Sequence, residues 1–238
     1  MFPYDSAIAA AVEKQPQTIA DVLQTMQTID ATCVDVDGLK WFNWLYLAVT
    51  RAVEARVNSG GFAGLAWLSQ LDVQFARLYF NALSAALASA SCPGCWEAMF
   101  SVRDNVRLAR IQFALAGMNA HINHDLCQAV VATCEATNTV PQHGTPQYND
   151  YTALDSTLDG LIEQAKKTLH VRLPGDALPA VSHLEDLIAG WNVSAAREKA
   201  WENAEALWNL PPVLAAGLMD TIDGFTTVVG KALLVPVP

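Results

Sequence analysis

Apolar positions along this chain recur three and four residues apart from Thr18 onward, and two-residue alternation of useful length is absent. That spacing predicts amphipathic helices. Residues 1–15 read as a short arm with a helical turn at Ser6–Glu13, which Pro16 breaks. Thr18 can cap a helix running to Ala31, with Ile19, Val22, Leu23, Met26 and Ile29 as its apolar stripe. After a Cys33–Gly38 linker, Asp37 caps a helix over Gly38–Val57 whose inner stripe is Leu39, Asn43, Tyr46, Thr50 and Val53. Asn58-Ser-Gly-Gly61 ends it. A long helix over Phe62–Ala90 turns Leu68, Leu71, Phe75, Leu78 and Ala82 inward, with Asp72 beside that stripe and Arg77 near the opposite edge. A Cys92-Pro-Gly-Cys95 turn and a short helix, Pro93–Arg103, lead into a central helix over Val106–Ala136. Residues 137–149 are rich in Asn, Thr, Pro and Gly and form the clearest loop, placed to cover or open a pocket, with His143 as an ordinary loop residue. Helices follow over Asp150–Leu169, Val181–Trp191, Ser194–Trp208 (with Ser194 as cap) and Pro212–Leu234. The expectation is an all-α bundle of about seven to nine helices around a central buried helix, one domain over residues 1–238.

The central helix concentrates titratable groups in an apolar setting, within Gly117-Met-Asn-Ala-His-Ile-Asn-His-Asp-Leu126. His121, His124 and Asp125 stand at three- and four-residue steps, so a helix puts them on one face. At about 100° per residue the same face carries Ala114, Gly117, Met118 and Gln128. The small residues one turn away leave room for something to approach the His-Asp cluster. Burying two imidazoles and a carboxylate costs free energy unless they are paired or used.

This stretch resembles the central signature of a family catalogued as domain of unknown function 5995. The resemblance extends through Thr18-Ile-Ala-Asp-Val-Leu23, Asp37 to Thr50, Leu71 to Phe80 and Ala195-Ala-Arg-Glu-Lys-Ala-Trp201. It implies a helical domain with a shared polar cluster and carries no activity to transfer.

Composition narrows the partners. Hydrophobic residues make up 52% of the 238 and charged ones 16%, with a net charge of -10. Such a chain supports a large core, and its acidic surface disfavours nucleic acid and anionic membranes. Val213–Leu234, the best apolar run, is interrupted by Asp220, Asp223 and Lys231, so no transmembrane segment is expected. Met1-Phe-Pro-Tyr-Asp5 lacks the basic start of a secretory signal, which points to a cytoplasmic protein with reduced thiols. The Cys92–Cys95 spacing also occurs in redox and zinc motifs. Flanking helices argue against the first, and Cys127 and Cys134 are poorly spaced to complete the second, so a plain turn is expected.

Three functions follow from the His-Asp face. In the leading one, His121, His124 and Asp125 perform cofactor-independent acid-base chemistry of cyclase, isomerase or lyase type on a hydrophobic small molecule. Asn43, Tyr46, Thr50, Asp72, Gly117 and Met118 would bind it. Seven tryptophans, eight phenylalanines and five tyrosines can shape an apolar pocket. In the second, His121 and Asp125, with His124 able to join them, chelate a divalent metal in a hydrolase, completed by Asp35, Asp37, Asp72, His183 or Glu185. In the third, the bundle binds a hydrophobic ligand without chemistry and the cluster is core structure. The polar groups on the Asn43–Thr50 stripe serve equally as satisfied core residues or as cavity lining.

Overall fold

The computed structural model describes residues 2–170 and 192–236. These are helices and connections, with no strand among the described residues. The helices are α1 (Asp5–Glu13), α2 (Ile19–Thr32), α3 (Gly38–Asn58), α4 (Leu65–Leu87), α5 (Gly94–Phe100), α6 (Arg110–Ala120), α7 (Leu126–Thr137), α8 (Pro146–Thr152), α9 (Asp155–His170), α10 (Val193–Asn209) and α11 (Pro212–Leu233). A π turn, His121–Asp125, joins α6 to α7, so residues 110–137 form one central helix. One apolar core runs from Ile8 in α1 to Leu234 after α11. The all-α single-domain expectation therefore holds. The expected helix over Val181–Trp191 lies outside the described residues.

The starts of α2 and α3 follow the cap chemistry read from the sequence. Thr18 Oγ1 accepts from Asp21 N at 3.1 Å while Asp21 Oδ2 accepts from Thr18 N at 3.0 Å. Asp37 Oδ1 accepts from Leu39 N at 3.0 Å. Gly60 and Gly61, at φ +79° and +92°, turn the chain after α3 through a region that glycine occupies without strain. The cap of α10 is Asn192 rather than Ser194. Asn192 Oδ1 accepts from Ala195 N at 2.7 Å, and the Ser194 hydroxyl bonds to Asp159.

The expected loop and the helix after it divide differently. Pro146–Asn149 is already helical, in α8, and Ala153–Leu154 separates it from α9. Asp150 caps a distant element: its carboxylate accepts from Ala63 N at 3.1 Å and Gly64 N at 2.6 Å, where α4 begins. His143 anchors its loop to α10, bonding Glu205 through Nδ1 at 2.6 Å and Glu198 through Nε2 at 2.8 Å.

Helix α11 has the length and apolarity of a membrane span, despite the charges that argued against one. Val213, Leu214, Phe225 and Val228 are exposed on its outer side. Its inner side is tied to the body. Asn119 Nδ2 donates to Thr226 O at 2.9 Å, and Gln112 Nε2 donates to Leu233 O at 2.7 Å.

The buried carboxylate of Asp37 joins α1, α3 and the turn after α5. Beyond Leu39 N it accepts from Arg103 Nε at 2.8 Å, from Arg103 Nη2, and from the Tyr4 hydroxyl at 3.0 Å. Arg103 Nη2 also pairs with Asp5 at 3.0 Å. Breaking a buried pair by removing one partner strands the other charge, at a cost of about 3–5 kcal/mol. Arg103→Ala is expected to lose that much in urea unfolding. Arg107→Ala, at an exposed position, should stay within about 0.5 kcal/mol of the parent. Equal small losses in both would contradict this account of the clamp.

Candidate functional site

The π turn inserts one extra residue into the central helix, with Leu126 N donating to His121 O. Such bulges recur at functional sites because they re-aim side chains. Here the turn holds both histidines on one carboxylate. Asp125 Oδ2 meets His121 Nδ1 at 3.0 Å and accepts from Trp96 Nε1 at 3.0 Å, while Oδ1 meets His124 Nδ1 at 2.7 Å. Burial alone would raise the Asp125 carboxyl. Hydrogen bonds from the two imidazoles outweigh it and hold the group below the ordinary carboxylate range. Burial lowers the His121 pKa against the pull of Asp125, which favours the neutral ring. An ionised Asp125 assigns Nδ1–H to the neutral His121 ring and leaves its Nε2 as a lone-pair acceptor, and His124 likewise presents Nδ1 to the carboxylate.

His121 is fully buried in an aromatic box. Phe75 stacks on it with ring centroids 3.4 Å apart, Tyr46 meets it edge-on at 4.4 Å, and Phe42, Trp96 and Tyr79 complete the walls. Its Nε2 has no hydrogen-bond partner among the described residues.

A cavity of about 60 Å³ is lined by Tyr46 and Phe75, the two rings that pack on His121. Leu71, Met118, Ile122, Leu158 and Val193 give it apolar walls, and Asp72 and Arg197 are its charged side chains. Three of the expected binding residues, Tyr46, Asp72 and Met118, line it. The His121–His124–Asp125 cluster does not line it, although Tyr46 and Phe75, which pack on His121, do.

Two expected binding residues have other roles. The space above Gly117 is occupied by the Phe42 ring, which a Cβ there would overlap, so Gly117 serves close packing of α3 on α6. Asn43 Nδ2 donates to Met26 O at 2.9 Å and ties α3 to α2. Thr50 is buried beside Tyr46, where its hydroxyl acts on the Tyr46 hydroxyl, and neither has another hydrogen-bond partner among the described residues.

Asp72 is buried on α4 together with Leu68, Leu71 and Ala82 of the expected inward stripe, and the buried face extends beyond that stripe to Ala76, Tyr79 and Leu83. No described cation pairs with it, and Oδ2 is unpartnered. Burial, reinforced by the Glu54 carboxylate, pushes its pKa up to about 7. Arg197 is already engaged: Nε donates to Asp155 at 2.6 Å, Nη2 donates to Tyr151 O at 2.7 Å, and the guanidinium covers the Tyr151 ring.

Among the other expected metal ligands, Asp35 is exposed and pairs with Lys40 at 2.9 Å, and Asp37 is a cap. His183 and Glu185 lie outside the described residues. Sequence reasoning missed Phe75 as the stacking partner, Trp96 as a donor to Asp125, and Arg197. Phe75 and Arg197 both fall inside the stretches that carried the family resemblance.

The chain belongs to a family of unknown function (DUF5995), whose profile matches residues 19–236. No curated protein and no solved structure matches it.

Two outcomes test this geometry. Gly117→Ala is expected to lower stability by about 1–3 kcal/mol through overpacking against Phe42. Phe42→Leu in the same chain should recover part of the loss, and purely additive losses would contradict the close approach. Asp125→Asn removes a carboxylate held below its ordinary pKa. Its contribution is present above the unfolded carboxyl pKa and lost as the pH falls through the lower folded value. The stability difference between parent and variant should therefore shrink in acid, as followed by thermal unfolding across pH.

Proposed function

We propose that this chain is an enzyme acting on a hydrophobic small molecule by cofactor-independent proton transfer, with Asp72 as the group that gives and takes the proton. The observation that carries this reading is a buried carboxyl lining an apolar cavity, with one oxygen unpartnered among the described residues and its pKa pushed up to about 7 by burial. A group that titrates near the working pH is present in both forms and transfers protons in either direction with little penalty. Burial, reinforced by Asp72 and Asp125, raises Tyr46 well above its ordinary value and keeps its hydroxyl protonated. Tyr46 is then a donor for an oxygen that gains charge as Asp72 removes a proton from the neighbouring carbon. Isomerisation, cyclisation and elimination all use this step.

His121, His124 and Asp125 enter as positioning residues. His121 is the ring against which Tyr46 and Phe75 pack, and Asp125 fixes that ring from behind. The cavity has room for a few water molecules. A larger ligand must displace adaptable lining such as Met118.

The test uses small cyclic ketones in deuterated water, followed by NMR. Exchange of the protons beside the carbonyl should follow an apparent pKa near 7. Asp72→Asn should abolish exchange while leaving ketone binding within about threefold of the parent. Binding without exchange in the parent would move the protein to non-catalytic ligand binding, and no binding at all would remove the cavity from the function.

Linkage gives a second check. The folded-state pKa of Asp72 lies above its unfolded value of about 4. Its contribution to stability is full below that unfolded value and lost as the pH rises through about 7. Asp72→Asn should flatten this fall and be the more stable protein above neutrality.

A further inference from the structure

We infer that Cys95, His124 and Asp223 form a binding site for a divalent transition metal of the zinc class, apart from the cavity. The three residues come from α5, the π turn and α11. One ligand atom of each lies within 4.8 Å of the others. A sulfur, an imidazole nitrogen and a carboxylate oxygen make a donor set that suits zinc. Zinc binds such atoms at about 2.0–2.3 Å, which places them within about 4 Å of one another, so the cluster closes by less than about an ångström.

The surroundings orient each ligand. His124 Nδ1 is taken by Asp125 Oδ1 at 2.7 Å, so Nε2 is the nitrogen available to an ion. A carboxylate on the far nitrogen fixes ring and tautomer as it does behind metal-bound histidines. Trp96 Nε1 holds that carboxylate in turn, at 3.0 Å. Asp223 accepts from Gly94 N at 2.8 Å and Cys95 N at 2.9 Å, one bond to each oxygen, and keeps further lone pairs for an ion. Cys95 is almost wholly buried and His124 nearly so, while Asp223 is half-buried and leaves a way in.

This gives the Cys92-Pro-Gly-Cys95 motif a role beyond a turn. A side chain at Gly94 would meet the Asp223 carboxylate at 3.1 Å and Thr227 Oγ1 at 2.9 Å, so the glycine permits α11 to approach. Cys95 is the motif's ligand, and Cys92 stands outside the cluster. On binding, the Cys95 thiol loses its proton to solvent and the thiolate, His124 and Asp223 fill three positions. A fourth tetrahedral position is left for water or a small anion.

The experiment strips the full chain with a chelator and titrates it with cobalt(II), then zinc. The parent should take up one ion per chain and show a thiolate-to-cobalt charge-transfer band. Cys95→Ser should abolish that band, and His124→Gln and Asp223→Asn should each weaken zinc binding by at least about tenfold. Cys92→Ser and Asp72→Asn should bind as the parent does, which separates this site from the proton-transfer proposal. Should a ligand variant fail to fold, X-ray absorption of the zinc-loaded parent decides, with one sulfur and the rest nitrogen and oxygen expected. No uptake, a band that survives Cys95→Ser, or zinc held by nitrogen and oxygen alone would overturn the inference.

Discussion

The buried carboxylate of Asp125 is the constraint on which the centre of this molecule depends. A charge taken out of water is tolerated only when donors surround it, and Asp125 has them from Trp96, His121 and His124. Those bonds fix more than the charge. Trp96 places α5 against the central helix. His121 fixes the plane on which Phe75 stacks and Tyr46 abuts, and these two rings form a wall of the cavity. His124 is turned toward Cys95 and Asp223. One side chain thus sets the geometry on both sides of the helix that carries it.

Close packing supplies the second constraint. Gly117 lets the Phe42 ring reach the central helix, and Gly38 lets Phe113 reach α3. The two helices approach until rings fill the space that small residues vacate. Interiors pack as densely as organic crystals, so a gap beside a glycine is filled by a neighbour unless polar groups or a ligand hold it open. The cavity persists instead where α3, α4, the central helix and α9 diverge around Tyr46, Asp72 and Met118.

What the sequence disclosed and what it hid divide along local and non-local physics. Thr18 and Asp37 were legible as caps because a cap is satisfied by the next turn of its own helix. The buried stripe of α3 was legible because its period is intrinsic to a helix. The inward stripe of α4 was legible too, but the buried face extends past it to Asp72, Ala76 and Tyr79, because neighbours close on more than one side of that helix. Asp72 was therefore placed beside the core rather than in it. Asn43, polar on an apolar stripe, marked a bond to another helix. The π turn had no local signal: His121, His124 and Asp125 share a face on an ordinary helix as well. The gathering of Cys95, His124 and Asp223 is a product of three helices meeting, and no spacing along the chain encodes it.

Asp72 and Asp125 show why residue type alone could not assign the chemistry. Both are aspartates buried on helices in the same bundle. Burial raises the pKa of each, and the difference lies in what surrounds the oxygens. Asp125 meets three donors and stays ionised, and a carboxylate so well satisfied gains little by taking a proton. Asp72 has an unpartnered oxygen and another carboxylate, Glu54, nearby, so its proton is held to about pH 7. Hydrogen bonds to the charged form make a structural anchor of one aspartate, and their scarcity makes an acid of the other. Under the proposed function, the His-Asp cluster accordingly serves as the scaffold, and Asp72, lining an apolar cavity, as the reactive group.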